Sequence, residues 1–199
     1  MAFVRRQNWV VWLALGAMAG LLATGLWPSA PLRAVATDRT ENFAITTGII
    51  DEGIEAVFVL DFLTGSLRGA VLSNQSRGFQ AVWEANVLAD LTKSVTVLNV
   101  KIKAENNVRI KKGLPARPEV QVPQNPRFML VTGLTDMRRG AARLRPSRSA
   151  IYVAEATTGM VLAYVAPWSP EQHSSDTPFV YQLLLWTAEQ FATTVVRAE

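Results

Sequence analysis

The chain has 199 residues, 49% of them hydrophobic and 18% charged, so it can build a core and is not a disordered tail. It contains no Cys and a single His, His173. That excludes a disulfide framework, a thiolate metal site, a Cys nucleophile and any site needing two imidazoles.

Residues 1–36 carry Arg5, Arg6 and Arg33 and no acid. From Trp9 to Trp27 every residue is uncharged and most are apolar. As a helix this stretch spans about 28 Å, close to the ~30 Å hydrocarbon core of a bilayer. Arg5 and Arg6 ahead of the run predict a cytoplasmic N-terminus, with Trp9, Trp12 and Trp27 near the interfaces. The expectation is a single-span inner-membrane anchor with the following domain in the periplasm. The alternative is a signal peptide cleaved near Ala36, at Ala34-Val35-Ala36, which would leave a secreted or periplasmic domain. Gly16 and Gly20 form a G-x-x-x-G spacing, a homo-oligomer contact of the kind small residues make between membrane helices.

Residues 37–199 read as one domain with an internal repeat. Phe43-Ala44-Ile45-Thr46-Thr47-Gly48 returns as Phe128-Met129-Leu130-Val131-Thr132-Gly133, and Val57 to Gly65 returns as Ile151 to Gly159. In each copy a β-branched strand ends on an acid, Asp61 or Glu155, followed by a turn closing on Thr64-Gly65 or Thr158-Gly159. Gly supplies the positive φ such a loop needs, and the acid accepts hydrogen bonds from loop amides. A third strand follows each turn. The apolar spacing in Arg77–Leu91 and in Pro178–Val195 then predicts a helix after each copy. The copies run over 43–92 and 128–196. Between them, residues 93–127 are expected as an excursion, with a strand at Val95–Ile102 and a proline-rich extended link from Gly113 to Pro126. The expected fold class is α+β: a transmembrane helix, then one domain whose antiparallel sheet is built from two β-β-β-α copies with both helices on one face.

The strand–acid–x-x-Thr-Gly–strand phrase is similar to hairpins in β-propeller blades over about 20 residues per copy. A propeller needs about four blades to close, and two copies do not supply them. The chain also resembles small exported, membrane-anchored proteins of planctomycete-type bacteria. The resemblance rests on Ala36-Thr37-Asp38-Arg39, Phe58-Val59-Leu60-Asp61-x-Leu63-Thr64-Gly65, Val131-Thr132-Gly133, Tyr152-Val153-Ala154-x-x-Thr157-Thr158-Gly159 and Pro167-Trp168. It implies an envelope location and no particular activity.

Charge is segregated. Residues 37–92 are net −5, residues 93–148 net +10 and residues 149–199 net −4. The densest basic stretch holds Arg138, Arg139, Arg143, Arg145 and Arg148, candidates for binding an anionic envelope component or an acidic protein, since guanidinium groups grip phosphate and carboxylate in a bidentate fork. Nucleic acid is not expected, because no aromatics interleave with these arginines for base stacking. No phosphate loop, dinucleotide fingerprint, zinc-protease or nucleophile-elbow motif is present. Ser174, His173 and Asp176 are adjacent on one loop, a poor arrangement for a catalytic triad. Asp51, Glu52 and Glu55 lack the ligand spacing of a calcium loop. No cofactor or metal is expected. The functional expectation is a non-enzymatic cell-envelope interaction or structural protein that uses its basic excursion. The alternative is a small-ligand binding or sensor module, and a more distant one is a hydrolase built on Asp61 and Glu155.

Overall fold

The computed structural model describes residues 12–18, 20, 37–73, 75–135, 145–175 and 177–192. The chain divides into two units, Met1–Ala34 and Val35–Glu199. In the first, residues 12–18 are helical. No helix among the described residues is long and apolar enough to cross a membrane. Most of the expected span, including Trp9 and Trp27, lies outside them.

The second unit is a sheet-rich α+β domain. Among the described residues ten strands run in the order β1 (Thr37–Arg39), β2 (Phe43–Asp51), β3 (Ile54–Asp61), β4 (Ser66–Ser73), β5 (Gly78–Asn86), β6 (Phe128–Leu134), β7 (Arg145–Glu155), β8 (Met160–Trp168), β9 (Phe179–Gln182) and β10 (Leu184–Gln190). The long helix α1 (Val87–Lys111) lies between β5 and β6, and the short α2 (Pro170–Ser174) precedes β9. The strands form a six-stranded sheet, β1-β2-β3-β4-β5-β9, and a four-stranded sheet, β10-β8-β7-β6. Every pairing is antiparallel except β5 with β9.

Two meanders, β2-β3-β4-β5 and β6-β7-β8-β10, have matching registers. Phe43 faces Asp61 as Phe128 faces Glu155, and Thr47 faces Val57 as Thr132 faces Ile151. Leu60 faces Leu67 as Ala154 faces Val161. Ser66 faces Asn86 as Met160 faces Gln190. The inward residues of both sheets alternate along their strands, as a pleat requires. They share one core that includes Phe58, Leu60, Trp83, Phe128, Ile151, Leu162 and Trp168.

Several expectations are corrected. The domain has two sheets rather than one, and the stretches expected as helices at Arg77–Leu91 and Pro178–Val195 form strands over Gly78–Asn86, Phe179–Gln182 and Leu184–Gln190, with Val87–Leu91 opening α1. In 78–86 a bulge where β5 meets β4 leaves Phe79 exposed and both Gln80 and Ala81 buried. The resulting apolar spacing imitates a helical period. In 179–190 one extended stretch changes sheets at buried Leu183, whose N–H donates to Glu84 O (2.9 Å). This corner breaks the alternation that would mark a strand.

The strand expected at Val95–Ile102 lies inside α1. Its β-branched residues favour a strand locally. Two stronger terms decide otherwise: Asn86 caps the helix by accepting from Ala89 N (2.9 Å), and Val87, Leu91, Val95 and Ile102 are buried on one helical face.

Candidate functional sites

The repeated turn is a rigid structural joint. Asp61 Oδ1 accepts from Leu63 N (2.8 Å) and Thr64 N (3.3 Å), and Gly65 N donates to Asp61 O (2.9 Å). In the turn between β7 and β8 Glu155 accepts from Thr157 N (3.0 Å), from Thr158 N and Thr158 Oγ1 (both 2.7 Å), and from Arg127 N (3.1 Å). Gly65 and Gly159 have φ of 67° and 69°. A Cβ on Gly159 would collide with the Ala192 carbonyl oxygen.

The backbone amide of Leu63, with both groups of Thr64, holds the Asp61 carboxyl below its usual value. Burial would raise Glu155, but its donors outweigh burial and leave it lowered as well. Both carboxylates are occupied as acceptors within their own turns, an arrangement suited to fixing a hairpin rather than to moving protons.

The basic region has a different construction from the expected loop. Arg138, Arg139 and Arg143 lie outside the described residues. Arg145 and Arg148 belong to β7, near its start. There the pairing with β8 is irregular between Pro146 and Ala150. Two buried serines span the irregularity: Ser147 Oγ bonds Ser149 O (2.6 Å) and Ala166 N (3.1 Å), and Ser149 Oγ accepts from Ile49 N (2.9 Å).

Further cations stand on α1 and the segment that returns along it. Two asparagines seven residues apart hold this return. Asn99 Nδ2 donates to Val120 O and Asn99 Oδ1 accepts from Val120 N, both at 2.9 Å. Asn106 makes the same pair with Arg117, at 2.8 and 2.7 Å. Each side-chain amide copies a strand's donor–acceptor pair, so the proline-rich segment docks on the helix without joining a sheet.

Residues 87–127 carry eight Lys and Arg against Asp90, Glu105 and Glu119. Each acid engages one cation: Lys93–Asp90 (3.7 Å), Arg117–Glu105 (2.9 Å) and Lys103–Glu119 (3.5 Å). Lys101, Lys111 and Lys112 are exposed and have no ion pair among the described residues. The helix also exposes Val97, Val100 and Val108.

His173 sits at the end of α2, with its ring centroid 5.0 Å from that of Trp168. Its Nδ1 meets Gln80 Oε1 at 2.8 Å. Ser174 Oγ donates instead to Glu171 O (3.0 Å), and Asp176 lies outside the described residues, so no triad is assembled there. Among the described residues no cluster of three His, Asp or Glu side chains could hold a metal ion, and this includes the Asp51–Glu55 hairpin. Trp83 and Trp168 are fully buried in the core, whereas Trp186 is exposed.

Sequence reasoning found the acid–Thr–Gly turn and the basic bias. It missed Asn99, Asn106 and Gln80, each a single polar residue whose partner lies far along the chain. The only available signal was the seven-residue spacing of two asparagines ahead of a proline-rich stretch.

Fold and sites together define a two-sheet α+β domain with a basic helical arm and no assembled catalytic centre among the described residues. Compared with known proteins, the chain matches no protein family, no curated protein and no solved structure.

Proposed function

We propose that the protein is a membrane-tethered cell-envelope interaction domain, non-enzymatic, that holds an anionic partner through its basic arm. The observation that carries this reading is the surplus of cations on α1. The helix is pinned to the domain through its buried face and through the return segment, so Lys101, Lys111 and Lys112 project from a rigid support. Arg145 and Arg148, with Arg138, Arg139 and Arg143 just before them in the chain, extend the same charge in sequence. Rigid placement favours selective binding over diffuse attraction, because little conformational freedom is lost on contact. The membrane tether rests on the uncharged run from Trp9 to Trp27, and self-association through Gly16 and Gly20 belongs to the same reading.

This reading also takes the two meanders as copies of one ancestral unit. Their equal registers support that, as do their equivalent turn hydrogen bonds: Val87 N to Gly65 O (2.8 Å) and Phe191 N to Gly159 O (2.9 Å).

The test is association of the full chain with envelope fractions over a salt series. Replacing Lys101, Lys111 and Lys112 with Glu should weaken association and flatten its salt dependence. Replacing Arg138, Arg139, Arg143, Arg145 and Arg148 with Ser should do the same. Unchanged binding in both variants would reject the proposal.

A further inference from the structure

A cavity of about 300 Å³ opens between the β2–β3 hairpin, the end of β4 and α2, lined by Gly53, Ile54, Glu55, Val71, Leu72 and His173. Its chemistry follows from Gln80, a buried side chain on β5. Gln80 Nε2 donates to His173 O (3.1 Å) and Gln172 O (3.4 Å). Two carbonyls therefore fix which end of the amide faces them, and Oε1 is the atom left against His173 Nδ1. An amide oxygen only accepts, so Nδ1 carries the proton. With a single proton on the ring, the lone pair lies on Nε2, which has no partner among the described residues.

The second polar side chain at the cavity, Glu55, is a carboxylate and also only accepts. It comes from the β2–β3 hairpin, which carries Asp51 and Glu52 as well. No Lys or Arg is among the described residues that line the cavity, and Ile54, Val71 and Leu72 give it apolar side chains. Acceptors with negative potential beside an apolar wall suit one kind of guest: a donor-only cationic head on a short alkyl stem. A carboxylate or phosphate would be repelled by Glu55 and would meet no Lys or Arg among the described lining residues.

We propose that this cavity binds a small primary-ammonium ligand, with Glu55 as the charge partner and His173 Nε2 as a second acceptor, oriented by Gln80. The site is separate from the basic arm and selects ligands of opposite charge to the arm's partner.

The experiment uses the full isotope-labelled chain in detergent and three four-carbon probes: n-butylammonium, butyrate and butanol. The expected result is that n-butylammonium shifts the His173 ring nitrogens and the amides of Gly53 and Leu72. It should bind at least about tenfold more tightly than either analogue, and Glu55→Gln should remove that advantage. The ring spectrum of the unliganded wild type should show the proton on Nδ1, which is readable even where a His173 variant fails to fold. Equal binding of butanol, undiminished binding by Glu55→Gln, or a proton on Nε2 would each overturn the proposal.

Discussion

Trp83 on β5 donates its indole N–H to the carbonyl of Pro167 on β8 at 2.8 Å. The bond joins one sheet to the other through the middle of the core. Around it Phe58, Trp168 and Phe179 lie with ring centroids 5.9 to 6.3 Å apart in neighbouring pairs. Gly69 leaves the space that the Phe58 ring fills. Trp83→Phe removes the donor, takes this bond from the half-buried Pro167 carbonyl and opens a void. A loss of about 2–4 kcal/mol is expected in denaturant unfolding.

The two turn acids differ in what protects them. Asp61 lies at the surface, whereas Glu155 is buried and accepts four hydrogen bonds. Asp61→Asn should therefore be mild. Glu155→Gln puts an NH₂ group where only acceptors fit, and should cost roughly 1–3 kcal/mol. Unfolding curves of the two variants, measured side by side, check the asymmetry.

Acid should destabilise the domain through the same residues. Both carboxyls are held below their unfolded values. Their contribution is complete above the unfolded carboxyl range of about 4 and is lost as pH falls through the lower folded values. Glu155→Gln should flatten the acid limb of the stability–pH profile more than Asp61→Asn does. Tyr164 acts at the other extreme. Burial and the neighbouring Asp90 carboxylate, which its hydroxyl meets at 3.1 Å, push its ionisation well above the ordinary value. The neutral phenol favours the fold below the unfolded pKa of about 10, and that benefit declines as pH rises beyond it. Tyr164→Phe should reduce the alkaline loss.

Gly159→Ala is expected to be among the most damaging single changes. The residue needs a positive φ, and the new methyl group would strike main chain at Ala192 rather than a movable side chain. Gly65→Ala keeps the same strained φ but would meet the Leu88 side chain, which can shift. Melting temperatures should fall in both, and further in Gly159→Ala.

Release of the return segment can be tested without touching its prolines. Asn99→Ala and Asn106→Ala each remove a donor and an acceptor from the contact with α1. Cleavage by a protease between residues 114 and 126 should accelerate in each variant and most in the double variant. Global stability should fall by only about 1–2 kcal/mol per site.

The strands of the two hairpins were readable because period-2 alternation and an acid–Thr–Gly turn occur twice in the same order. Elements whose pattern depends on remote partners were not. In β5 the bulge hides the alternation, and in β9 and β10 the change of sheet at Leu183 does so. The residues Val95 to Ile102 carry strand-forming side chains, yet the cap at Asn86 and the apolar face from Val87 to Ile102 hold them in a helix. At the sites, the acids of the turn reveal themselves by repetition. Gln80 acquires meaning only when a strand from the first half of the domain meets a short helix more than ninety residues later.

The stretch from Phe179 to Gln190 begins as the edge of one sheet and ends as the edge of the other. During synthesis from the N-terminus it emerges after every other described strand. Each hairpin can pair as it leaves the ribosome, but neither sheet has its full set of strands until this segment appears. A chain paused before residue 179 would carry two unfinished edges at once, where pairing with another copy competes with folding. Delivery of the last strands is therefore the step at which aggregation and correct closure part.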